Sequence, residues 1–93
     1  MTYEERVGDI IKEAGRIVYF HKMVEHSKQR LEEPVDTPDE VLDILWYAKT
    51  YNTALEQHRA EYESLRKEFS PKDELVEALD NLIKECGANH ETA

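Results

Sequence analysis

The chain has 93 residues, 40% of them hydrophobic and 35% charged, with a formal net charge of −9. A single small domain of this length buries only about two-thirds of its unfolded surface, so association with a second chain is a natural source of added stability. The negative charge opposes direct binding to nucleic-acid phosphates or to an anionic membrane surface. The lone Cys86 cannot form an internal disulfide, and without a signal peptide or a long apolar run a cytoplasmic location is expected.

The first helix is expected to start at Thr2, where Thr2-Tyr3-Glu4-Glu5 has the form of a capping box, and to end before Pro34, giving a span of about 2–32. Tyr3, Ile10, Ile17, Val24 and Leu31 form one apolar row on it, with Val7, Ala14 and His21 beside them. Residues 33–37 form a turn. Thr37-Pro38-Asp39-Glu40 opens a second helix, with Thr as N-cap, Pro at the first helical position and Glu closing a second box. This helix is predicted over about 38–69. Read in a seven-residue frame, Val41, Ala48, Leu55, Tyr62 and Phe69 share one row and Ile44, Tyr51, His58 and Leu65 the other, as in a helix laid along another helix. A third helix is predicted over about 71–86, with Ser70 as N-cap, Pro71 next, and Gly87 as the residue that ends it. Residues 1–87 then make one three-helix domain and 88–93 a flexible tail.

A short turn makes the two long helices antiparallel, and facing residue numbers should then add to a constant. Leu31/Val41, Val24/Ala48, Ile17/Leu55, Ile10/Tyr62 and Tyr3/Phe69 all add to 72, as do His21/Tyr51, Ala14/His58 and Val7/Leu65. The fold class is therefore all-α, a hairpin of two long helices with coiled-coil-like packing and a shorter third helix. That third helix is expected to dock on Gly8, Ile11, Gly15 and Val18, since two mid-helix glycines at seven-residue spacing suggest close helix approach. It is too short to reach the apolar stretch Val41–Ala48. Tyr19, Phe20, Met23, Leu42, Leu45, Trp46 and Tyr47 are then left as an interface that a second copy would cover, making a homodimer or higher oligomer.

His21, His26, His58 and His90 lack the spacing of a helical metal site, so no metal or cofactor is expected from them. His21 and His58 are read as packed histidines, with Tyr51 and Tyr62 as candidate hydrogen-bond partners. Cys86, on an apolar row at the end of an acidic helix, is read as a small hydrophobe rather than a nucleophile. The acidic surface Asp73, Glu74, Glu77, Asp80 and Glu85 suits a protein with a basic surface, which it could meet as an acidic mimic of nucleic acid. An Asp80–Lys84 pair at i, i+4 within it fits a solvated helix face instead.

Glu13-Ala14-Gly15-Arg16, followed by Asp39-Glu40-Val41-Leu42-Asp43-Ile44-Leu45-Trp46-Tyr47, resembles the core of MazG-like nucleotide pyrophosphohydrolases. The resemblance covers about a third of the chain. It implies Mg²⁺ held against a nucleotide triphosphate, with Glu13, Glu40 and Asp43 as metal ligands. Arg16 stands where that family has a fourth carboxylate. With that position cationic, the residues favour a small acidic helical interaction module (an adaptor, an inhibitor or a regulatory subunit) over an enzyme.

Overall fold

The computed structural model describes residues 2–34 and 37–92, with side chains as far as Cys86. Three helices follow in order: α1 Tyr3–Glu32, α2 Pro38–Arg66 and α3 Glu74–Thr92. The chain is all-α. The predicted turn residues Val35 and Asp36, and the side chains of Gly87, His90 and the rest of the tail, lie outside the described residues.

Two of the three predicted N-caps, Thr2 and Thr37, form. The Thr2 hydroxyl accepts from the Glu5 amide at 3.2 Å, and the Thr37 hydroxyl accepts from the Glu40 amide at 3.2 Å. Each satisfies one of the amides that a helix start leaves without an intrahelical partner. Pro38 occupies the first helical position of α2, and α1 ends at Glu33, whose backbone is already extended ahead of Pro34.

The hairpin packs in the predicted register. Tyr3 meets Phe69 edge-on at 5.9 Å between ring centres, Phe20 lies 6.2 Å from Tyr51, and Arg30 pairs with Glu40 at 3.3 Å. Ile10, Ala14, Ile17, Leu55, Tyr62 and Phe69 form the core, joined by Val76 of α3. His21, Val24 and Ile44 are buried further along the hairpin. The molecule measures 52 × 26 × 15 Å. Its thin dimension is barely more than one helix diameter of roughly 10–12 Å, so few side chains can be enclosed on every side.

The third helix departs from expectation at both ends. α2 stops at Arg66 rather than 69, and α3 starts at Glu74 rather than 71. The Ser70 carbonyl is taken by the Asp73 amide at 3.0 Å, closing a turn in place of a first helical residue. The Arg66 guanidinium spans the Ser70 and Pro71 carbonyls at 3.0 and 3.4 Å. Asp73 is the cap: its Oδ1 accepts from the Leu75 and Val76 amides at 3.1 and 3.2 Å. Gly87 does not end α3, which continues to Thr92.

The docking face also differs. A Cβ on Gly8 or Gly15 would meet nothing within 4 Å among the described residues, so the described side chains of α3 do not pack on the two glycines. It docks instead through Val76, Leu79 and Ile83. Asp80 accepts from the Tyr62 hydroxyl at 2.7 Å and from Arg66 Nε at 2.9 Å, so it faces α2 rather than pairing with Lys84. Burial and the Asp80 contact together push the Tyr62 hydroxyl well above the usual phenol range. At the far end the Tyr3 hydroxyl donates to Asp73 at 2.8 Å. That bond, with the Val76 amide, holds the Asp73 carboxyl below its ordinary value.

Candidate functional site

The nineteen residues of α3 reach about 28 Å along a hairpin whose second helix runs about 43 Å, so about the third nearest the first turn has no third helix over it. On that third Leu42 is 64% exposed and Trp46 61%, and Leu45 and Tyr47 are also exposed, as is Tyr19 on the neighbouring part of α1. Phe20 and Met23, the other two residues of the predicted interface, are half-buried.

A run of ring contacts joins most of these residues. Trp46 meets Tyr47 edge-on at 5.1 Å, and Tyr47 stacks on Tyr51 at 6.1 Å. Tyr51 lies 6.2 Å from Phe20, which touches Tyr19 edge-on at 5.2 Å and stacks on His58 at 5.3 Å with planes 7° apart. The spacing that does this is i, i+4 from Tyr47 to Tyr51 and seven more to His58, which keeps all three on one flank of α2. A shallow cleft beside the rings is lined by Met23, His26, Arg30, Ile44, Tyr47 and Tyr51. Aromatic rings offer a large contact area at low conformational cost, which suits a surface that must be desolvated by a partner.

Beneath the end of this run lies a carboxylate that periodicity alone did not single out as structural. Glu13 is buried, and its two oxygens are held separately, one by Arg16 Nη1 and the other by His58 Nδ1 at 2.8 Å. His58 thus finds Glu13, not the tyrosines, as its partner, while Tyr62 turns to Asp80. The signal was available, because Glu13 and His58 add to 71, within one of the hairpin constant. Charge-assisted bonds to both oxygens keep the buried carboxylate satisfied and pin α1 against α2 at one register. His21 is buried, as its interior position required.

The three ligands implied by the MazG-like motif are not brought together within one chain. Glu13 lies opposite His58, whereas Glu40 pairs with Arg30 and Asp43 is exposed near the first turn. The eighteen residues between Glu40 and His58 correspond to about 27 Å of helix, far beyond the roughly 4 Å span between two ligands of one Mg²⁺. Among the described residues, no three of His, Cys, Asp or Glu are placed to hold a metal ion. The chain is expected to release no pyrophosphate from nucleotide triphosphates in the presence of Mg²⁺. Multiple-turnover release that Glu13→Gln abolishes would restore the enzymatic reading.

On the acidic surface Glu74, Glu77 and Glu85 are exposed, but two of the five acidic residues are engaged in the fold. Asp73 caps α3, and Asp80 ties it to α2. Cys86 is a half-buried free thiol within α3. Among the described residues no helix is long and apolar enough to cross a membrane. No protein-family model, no curated protein and no solved structure matches this chain.

Proposed function

We propose that the chain is a helical protein–protein interaction module that works as a homo-oligomer, joined through the tip of its hairpin. The observation that carries this reading is the exposure of Leu42, Leu45, Trp46 and Tyr47 on the one stretch that α3 does not reach. Burying such side chains contributes roughly 1.5–3 kcal/mol each, and leaving them wet invites aggregation.

Charge placement favours a second copy as the occupant. Between residues 41 and 52 only Asp43 and Lys49 are charged, and the acidic Glu32, Glu33, Asp39 and Glu40 gather at the turn, with Lys28 and Arg30 nearby, rather than on this stretch. Two such stretches can meet across a two-fold axis with few charges to desolvate, and at the turn Arg30 already pairs with Glu40 within the chain. The acidic surface that stays outward, Glu77 among it, then suits a protein with a basic surface, in the manner of an adaptor, an inhibitor or a regulatory subunit. A cytoplasmic setting fits the single free thiol.

Sedimentation of the parent and of Trp46→Glu tests the tip. The parent is expected to run as an assembly of two or more chains, and Trp46→Glu to halve its mass and melt at a lower temperature. A monomeric parent whose Trp46 fluoresces as a solvent-exposed indole would overturn the reading.

A further inference from the structure

α1 has a second apolar face that the fold leaves uncovered. Gly8 and Gly15 stand inside a thirty-residue helix, where glycine weakens the helix, and among the described residues nothing comes within 4 Å of where their Cβ atoms would be. Ile11, between them, is 45% exposed. On α3, Leu75 and Leu82 are 43% and 47% exposed while Val76 between them is fully buried, so the two leucines lie beside the docked face rather than on it. The Tyr3–Asp73 bond sets the starts of α1 and α3 level, and the two helices run parallel, which brings Ile11 beside Leu82. Positions 8, 11, 15, 18 and 22 of α1 and 75, 78, 82 and 85 of α3 share the alternating three-and-four spacing of helices that pack against another helix. The two stripes make one continuous outer face.

We infer that a second copy of the chain docks on this α1–α3 face, with Leu82 of each copy seated over Gly15 of the other. In antiparallel pairing, facing residue numbers keep a constant sum, and the Leu82/Gly15 pair sets it at 97. That same register sets Lys12 against Glu85 and places Lys22 against the Glu74–Leu75 pair of the other copy, all four charged side chains being exposed. Two-fold symmetry repeats each pair. The glycines then have their use, as hollows that receive a leucine and let two helices approach closely, and the charges around them are complementary to a copy of themselves. This face is distinct from the hairpin tip, so a chain using both would assemble as a dimer of dimers.

Lys22 and Glu74 give a test that works only between chains. Glu74 stands level with residue 4 of α1, and the eighteen residues from there to Lys22 put the two about 27 Å apart in one chain. Sedimentation equilibrium at micromolar concentration and moderate salt is run in the Trp46→Glu background, which removes the tip contact. That protein is expected to be a dimer. Leu82→Glu should make it a monomer, and Lys22→Glu should weaken it about tenfold, because two symmetry-related ion pairs become like-charge pairs. Adding Glu74→Lys to Lys22→Glu should restore the parent affinity to within about twofold. A monomeric Trp46→Glu protein, an unchanged mass after Leu82→Glu, or failure of the second charge reversal to rescue the first would overturn this interface. The tip reading fails on a different result, namely a parent whose mass Trp46→Glu does not alter.

Discussion

Leu55→Ala is expected to lower the unfolding free energy by about 2–4 kcal/mol at a fixed chain concentration. Leu55 is 6% exposed, stands opposite Ile17, and belongs to the cluster that also contains Ile10, Ala14 and Tyr62. Removing its three terminal carbons forfeits their transfer free energy and leaves a hole. The walls of that hole cannot close easily. One turn along α2 the Glu13–His58 contact holds the two helices at their spacing, and a turn further Tyr62 is fixed by Asp80. The residual cavity therefore adds to the transfer loss. Urea unfolding reads the result as a lower midpoint with an unchanged slope. A curve that overlays the parent would remove Leu55 from the core.

Leu55 was legible because the signal that identified it was redundant. Its row repeats every seven residues along α2, the matching row repeats along α1, and one constant sum joins the two. Many weak choices agreeing on one register leave little room for another. The start of α3 lacked that redundancy. Ser70-Pro71 carries a helix-start signature as strong as Thr37-Pro38, but Arg66 reaches the two carbonyls of the intervening turn and Asp73 offers one oxygen to two amides. A cation four residues upstream thus outweighed the Ser-Pro preference, and nothing at residues 70–71 announces it. The glycine stripe failed in another way. Its spacing suggested close helix approach, but nothing comes within 4 Å of a Cβ at either glycine among the described residues, and α3 docks through Val76, Leu79 and Ile83.

The exposed tip could be read from length alone, since a short third helix cannot cover a long hairpin. The ring contacts could not. Tyr51 and His58 stand on a row of α2, but Phe20 lies off both rows of α1, and only its side-chain direction brings it between them. Glu13 was obscured by its own motif. A carboxylate next to Arg16 suggested a damaged metal site, whereas in the fold the Arg16 charge is what makes a buried Glu13 tolerable.

Val76→Asp is expected to cost more than about 3 kcal/mol and to detach α3 from the hairpin. Val76 is 0% exposed and is the central contact of α3, with Leu79 and Ile83 packed on the core to one side of it. A carboxylate there loses its hydration and meets Asp73, Glu77 and Asp80 on the same helix, so neighbouring charge compounds the burial cost. The remaining ties of α3, the Tyr62 and Arg66 bonds to Asp80 and the Tyr3 bond to Asp73, lie near the surface and cannot offset that amount. Undocking would also uncover Ile10, Tyr62 and Phe69, so the hairpin should melt earlier. Hydrogen exchange would show this as lost protection in α3 with α1 and α2 still protected. The pH dependence carries a distinguishing sign. Burial raises the pKa of the introduced carboxyl above its unfolded value, so the penalty is present at neutral pH and shrinks as the pH falls through the folded value. Asp73, with its lowered pKa, does the reverse, contributing stability above its unfolded value that is lost as the pH falls through the folded one. The gap between variant and parent should therefore narrow in mild acid. A gap that stays constant or widens would mean that the introduced group reaches water, and that Val76 is not the residue holding α3 in place.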